Sequence, residues 1–186
     1  LFAFYRRTLG KIKIHPISFF QPEEDENIHL HIWDGYFVTF LFPFMDEMPN
    51  YQHFDEALSP EHKKRIMTFY KSMLQRHMYA TGNKYYVAKN PAFSAKIETL
   101  VEFFPDARII YLARNPLDML PSTISWINYA RRKFTDPVEG YNYVDEIVDM
   151  TQHWYSHPIH YLDTHPSPRH LILKYDDLIQ RPEHVI

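Results

Sequence analysis

The stretch Arg108-Ile-Ile-Tyr-Leu-Ala-Arg-Asn-Pro-Leu-Asp-Met-Leu-Pro-Ser122 decides the fold. Its first part, Arg108 to Ala113, is apolar at successive positions, as in a central parallel strand buried on both faces. Its second part reads as a helix from Leu117 to Tyr129. Pro116 and Asp118 mark the first turn, where a proline needs no N–H partner and an acid meets the positive end of the dipole. Leu117, Leu120, Ile124 and Ile127 repeat at helical spacing. A strand running directly into a helix is the unit of α/β architecture.

Outward from this unit the same alternation continues. On the N-terminal side, Ser59-Pro60 is an N-cap followed by a first-position proline. Ile66, Phe69, Tyr70, Met73, Leu74 and His77 form the stripe of that helix, and Gly82 closes it. Lys84 to Ala88 reads as a short buried strand. Ser94 caps a helix carrying Ile97, Leu100, Val101 and Phe104, and Pro105 stops it. On the C-terminal side a long helix covers Val144 to Leu162, with Pro158 as a kink. His170 to Lys174 is another strand, and Pro182 opens a last helix. The first third is less regular. Residues 1–9 read as the tail of a helix, residues 21–27 as an acidic loop or helix start, and residues 36–54 as an aromatic, proline-rich loop region. The expectation is one α/β domain over residues 1–186, a three-layer sandwich with a parallel sheet, incomplete at both ends.

Composition narrows the function. The 186 residues are 45% hydrophobic and 23% charged, with a formal charge of −3. That balance argues against a dedicated nucleic-acid binder, which is usually clearly basic. Cysteine is absent, which excludes disulfides, zinc–thiolate sites and a cysteine nucleophile here and fits a reducing compartment. The longest nearly uncharged run, Tyr36 to Met45, is half the ~20 residues of a spanning helix, and no signal peptide is visible. The expected location is cytoplasmic. Only four glycines occur, and neither GxGxxG nor GxxxxGK[ST] is present.

In parallel sheets ligands bind beyond the carboxyl ends of the strands. Three polar clusters fall there: Lys89-Asn90-Pro91, Arg114-Asn115-Pro116 and Tyr175-Asp176-Asp177. Arg114 stands where the central strand meets a helix, whose free N–H groups favour an anion. Ser122, about one turn into that helix, would grip the same phosphate from the other side. The alternative is that Arg114 pairs with Asp118 or Asp106 while Ser122 faces solvent.

These residues resemble the sulfotransferases, enzymes that transfer a sulfuryl group from 3′-phosphoadenosine 5′-phosphosulfate (PAPS). The family's 3′-phosphate motif, R-[ND]-P-x-D-x-x-x-S, matches Arg114 to Ser122. Phe104-Pro-Asp-Ala-Arg108 before the strand and Leu171-Ile-Leu-Lys-Tyr-Asp-Asp-Leu to Pro182-Glu183 after it are similar to segments of the broad bacterial group. The resemblance covers residues 84–186 well and residues 1–83 loosely. It implies a P-loop-NTPase-like fold, with an acceptor-side region over 1–83 and a nucleotide-binding part over 84–186. It implies that Arg114 and Ser122 hold the 3′-phosphate of PAPS. Lys89 then matches the lysine of the K-x-P or K-x-H segment near the transferring group.

Two departures accompany the match. The family's 5′-phosphosulfate loop, of the type G-x-x-R-S-G-T-T, is not found, so this stretch by itself is expected to turn over little. The position two after Lys89 is Pro91, where aryl and steroid members carry a catalytic histidine. The base is then sought in an earlier acidic segment, at Glu23, Glu24 or Asp25, with His15 as another choice. A solvated acidic turn is the competing reading of those carboxylates.

The implied reaction is sulfuryl transfer to a hydroxyl or amine of a carbohydrate, lipid or small-molecule acceptor. Charge and position supply the catalysis, and no metal is called for. The alternative is an inactive nucleotide-binding or scaffold protein on the same fold. A P-loop kinase relative would need a Walker lysine and a magnesium carboxylate, and neither is identifiable. His153 and His157 share a helical face near Asp149, and His29 and His31 are two apart, yet no H-E-x-x-H occurs. Arg131-Arg132-Lys133 reads as a solvated helix end rather than an anion site. Trp33, Tyr36, Phe37, Phe40, Phe42, Phe44 and Tyr51 either wall an acceptor pocket or fill a core. Tyr175 and Asp177 read as positioning the sheet's end.

Overall fold

The structure, a computed structural model, describes residues 24–41, 49–134 and 143–185. Glu23, His15, residues 1–9, Phe42, Phe44 and Lys133's side chain lie outside the described residues. The fold is mostly helical around a small parallel sheet. The α-helices are α1 (Glu26–His29), α2 (Phe54–Ala57), α3 (Pro60–Thr81) and α4 (Ile97–Phe103), followed by strand β1 (Ile109–Ala113). Then come α5 (Pro116–Phe134), α6 (Tyr143–Thr164), β2 (His170–Lys174), α7 (Tyr175–Gln180) and α8 (Pro182–Val185). Single 3-10 segments at Leu30–Ile32, Tyr36–Phe40, Tyr51–His53 and Pro91–Lys96 link the helices of the first half.

Local signals placed the longest helices. Ser59 accepts a hydrogen bond from the His62 N–H and starts α3, with Pro60 in its first turn. Gly82 ends it at φ 71°, the left-handed conformation glycine tolerates best. Ile66, Met67, Tyr70 and Leu74 are the buried stripe. They pack with Tyr36, Tyr51, Phe54, Ala95, Ile127, Ile147 and Met150 into one core. The aromatic stretch therefore mainly fills space: Tyr36 and Tyr51 are in the core, Phe37 and Phe40 pack against it, and Trp33 is exposed.

β1 and β2 pair in parallel register, Ile109 opposite His170 through Ala113 opposite Lys174, with α5 and α6 in the crossover. α6 covers one face: the Tyr111 hydroxyl donates to the Trp154 carbonyl at 2.9 Å. On the other face Ile110 and Leu112 are 65% and 42% exposed, so β1 is not buried on both sides as its sequence predicts. Lys84 to Ala88 is not a strand. It has no ladder partner among the described residues, and Tyr85 and Val87 point to solvent. The cap before α4 also differs. Asn90, not Ser94, accepts from the Ala92 N–H and opens the 3-10 turn leading into that helix. No helix among the described residues is long and apolar enough to cross a membrane.

Candidate functional site

Two groups of residues carry the predicted chemistry. The first lies where β1 ends. Asn115 is the hinge between strand and helix. Its Oδ1 accepts from the Leu117 N–H at 3.1 Å, and its carbonyl accepts from the Asp118 and Met119 N–H groups. The first amides of α5 are thus already satisfied, which corrects the expectation of free N–H groups there. An anion at this end meets side chains rather than backbone.

Arg114 is exposed and has no carboxylate partner among the described residues, so the pairing with Asp118 or Asp106 does not occur. It is held in two other ways. Its carbonyl accepts from the Tyr155 hydroxyl at 2.7 Å, and its guanidinium lies 5.2 Å from the centroid of the Tyr175 ring. The sheet register explains the second contact. Ala113 faces Lys174, so the next residues, Arg114 and Tyr175, leave the two strands side by side. Ser122 is exposed on α5, six residues beyond Pro116 and therefore nearly two turns into the helix rather than one.

The second group surrounds Lys89. Its ammonium lies 2.5 Å from Glu24 Oε1, and three-quarters of the side chain is exposed. The acidic segment that begins there is fixed from below. Glu26 is fully buried in α1. It accepts from the Tyr36 N–H at 2.7 Å, from Lys96 at 3.0 Å and from the Asn90 amide at 3.2 Å. His29 Nδ1 stands 3.3 Å from the same carboxylate. Asn90 thus caps the turn after Lys89 with one side-chain atom and ties it to Glu26 with the other. Burial by itself would push the Glu26 carboxyl up. Lys96 and His29 outweigh it and hold the group far below the usual carboxylate range.

Asp25 is also buried, and it accepts from the hydroxyls of Tyr70 at 2.5 Å and Tyr86 at 3.0 Å. Burial raises its pKa although both hydroxyls oppose the rise, and the Tyr86 phenol is itself pushed up to about 12 by burial and by Asp25. The three acids Glu24, Asp25 and Glu26 therefore have separate surroundings. Glu24 alone of them touches Lys89. No hydrogen bond or ion pair among the described residues joins this group to Arg114 or Ser122.

A family model described as the sulfotransferase family matches residues 15–186. The chain belongs to the sulfotransferase family. It is 30% identical over 118 residues to the omega-hydroxy-beta-dihydromenaquinone-9 sulfotransferase Stf3 of Mycobacterium bovis, and equally to that of Mycobacterium tuberculosis. Each match covers 58% of this chain and 28% of the relative. No solved structure matches it.

Within the basic run after the motif helix of this sulfotransferase, Arg132 is exposed as the solvated-end reading expects, but Arg131 is not. Arg131 is 2% exposed and forks onto Glu146 of α6 at 2.7 and 3.1 Å, with its guanidinium 4.3 Å from the Tyr143 ring centroid. It holds α5 and α6 together. Periodicity had no signal for this pair, nor for Glu26–Lys96 or for Tyr175 beneath Arg114. Each depends on contacts between distant parts of the chain. The strand register was the one available clue to the last.

Proposed function

We propose that this chain carries the nucleotide and acceptor machinery of a PAPS-dependent sulfotransferase that sulfates a hydroxyl or amine. One observation carries the reading: Arg114 is exposed at the carboxyl end of β1, stacked on Tyr175 and without a carboxylate partner among the described residues. A guanidinium that no carboxylate occupies keeps its forked N–H donors available to the oxygens of a phosphate. Arg114 and Ser122 take the 3′-phosphate. The fold is read as a three-layer, P-loop-like sandwich, a reading supported by the apolar sheet face that Ile110, Leu112 and Leu171 leave exposed among the described residues.

The Lys89–Glu24 contact supports the chemistry. The acceptor oxygen attacks sulfur in line as the bond from sulfur to the 5′-phosphate oxygen breaks. Glu24 takes the acceptor proton, and Lys89 meets the charge that builds on the departing phosphate. Lys89 is exposed and flexible, so it can exchange one carboxylate oxygen for the donor's anionic oxygens. Because the named relatives act on an omega-hydroxy quinone, a hydroxyl on an apolar molecule is the favoured acceptor.

Calorimetry of the full-length protein with adenosine 3′,5′-bisphosphate tests the reading. Arg114→Ala removes a forked phosphate partner and is expected to weaken binding by ~2–4 kcal/mol. Unchanged affinity would overturn it.

A further inference from the structure

His53, Glu56 and His153 come from three different elements: the 3-10 segment Tyr51–His53, α2 and α6. One ligand-type atom from each lies within 4.8 Å of the others. His153 is 8% exposed, and its Nε2 is buried with no hydrogen-bond partner. A buried ring nitrogen facing no donor or acceptor is costly, and such an atom calls for an explanation. The neighbouring atoms supply one. His53 Nδ1 stands 3.7 Å from Glu56 Oε2, and the His53 ring is stacked on that of His153 with centroids 4.0 Å apart.

The other nitrogen of His53 completes the pattern. Nε2 lies 2.8 Å from Asp149 Oδ2. An Nε2–H donated to Asp149 leaves the Nδ1 lone pair directed to the Glu56 side. That is the carboxylate–histidine arrangement that orients and strengthens an imidazole ligand to a metal. Two imidazoles and one carboxylate are a donor set suited to zinc and other first-row divalent ions. The Glu56 side chain is 62% exposed, so one side of the cluster is open to a water as fourth ligand. Metal entry requires the two rings to fan open from their 28° tilt, and Glu56 is free to turn inward.

We propose that His53, Glu56 and His153 form a divalent transition-metal site of the zinc type, oriented by Asp149 and tying the residue 51–57 segment to α6. It uses none of the residues assigned to sulfuryl transfer, and it stands or falls separately from that reading.

The test uses the full-length protein, stripped with chelator and titrated with Zn²⁺ by calorimetry. Co²⁺ serves as a second probe whose visible absorption reports tetrahedral coordination. One equivalent per chain is expected. Glu56→Gln changes an exposed side chain and keeps the fold by circular dichroism, yet weakens Zn²⁺ binding by about tenfold or more. Asp149→Asn, which touches no metal, weakens it by about 10–100-fold. His153→Ala abolishes the tetrahedral Co²⁺ spectrum. The absence of stoichiometric binding, or binding that Glu56→Gln and Asp149→Asn both retain at wild-type strength, would overturn the proposal.

Discussion

The Lys96 ammonium lies 3.0 Å from the Glu26 carboxylate, with both side chains almost completely shielded from water. Lys96 also sits over the rings of Phe54 and Phe93, at 5.0 and 5.9 Å from their centroids. This pair, with Asn90, joins the acidic segment to the turn that follows Lys89. A buried pair gives little net stability over an apolar replacement, but removing one partner strands a charge. Lys96→Met should therefore destabilise the fold by ~3–5 kcal/mol in urea denaturation. Glu26→Gln combined with Lys96→Met should recover most of that loss. A single-variant effect below about 1 kcal/mol would show that Glu26 is compensated without Lys96.

Asp25 and Glu26, adjacent in sequence, should respond to acid in opposite senses. The folded pKa of Glu26 is held below its ordinary value of 4.5. Its contribution is fully present above that value and is lost as the pH falls towards the folded pKa. The folded pKa of Asp25 is raised above 3.8, so its contribution is present below that value and lost as the pH rises through the folded pKa. Melting curves between about neutral pH and about pH 3 should show a shallower acid loss in Glu26→Gln and a steeper one in Asp25→Asn. Identical slopes in all three proteins would contradict both assignments.

Gly35 is required for space. A Cβ there would stand 2.6 Å from His29 Cβ and 2.8 Å from Glu26 Oε1. The backbone at Gly35 is extended, so conformation is not the obstacle. Gly35→Ala must push α1 away from the Tyr36 N–H that Glu26 accepts. The expected cost is about 1–3 kcal/mol, read from the thermal midpoint. Stability equal to wild type would mean that α1 moves aside without cost.

Glu24 and Lys89 should separate catalysis from folding. Both side chains reach solvent, and exposed pairs contribute roughly 0–1 kcal/mol, so neither variant should shift the melting curve much. Labelled-sulfate transfer by full-length Glu24→Gln should fall about 10²-fold or more in kcat, with adenosine 3′,5′-bisphosphate affinity kept. Lys89→Ala should lower kcat by a comparable ~10²-fold through lost charge stabilisation. Wild-type turnover in Glu24→Gln would remove Glu24 as the base.

What the sequence by itself determined was local. The ends of α3 follow from Ser59, Pro60 and Gly82, because caps and left-handed turns are set by neighbouring residues. β2 matches its sequence span, His170 to Lys174, and the start of α5 at Pro116 is equally legible. The R-N-P-x-D-x-x-x-S pattern pointed to the family. Tertiary structure decided which acid reaches Lys89, since Glu24 is 65 residues away in the chain and its neighbours Asp25 and Glu26 turn inward. It also decided that Lys84 to Ala88, apolar enough for a strand, has no ladder partner among the described residues, and that Arg131 is buried against Glu146. Periodicity records which face of an element is apolar. It carries no information on which polar group stands opposite, because that depends on how distant segments pack.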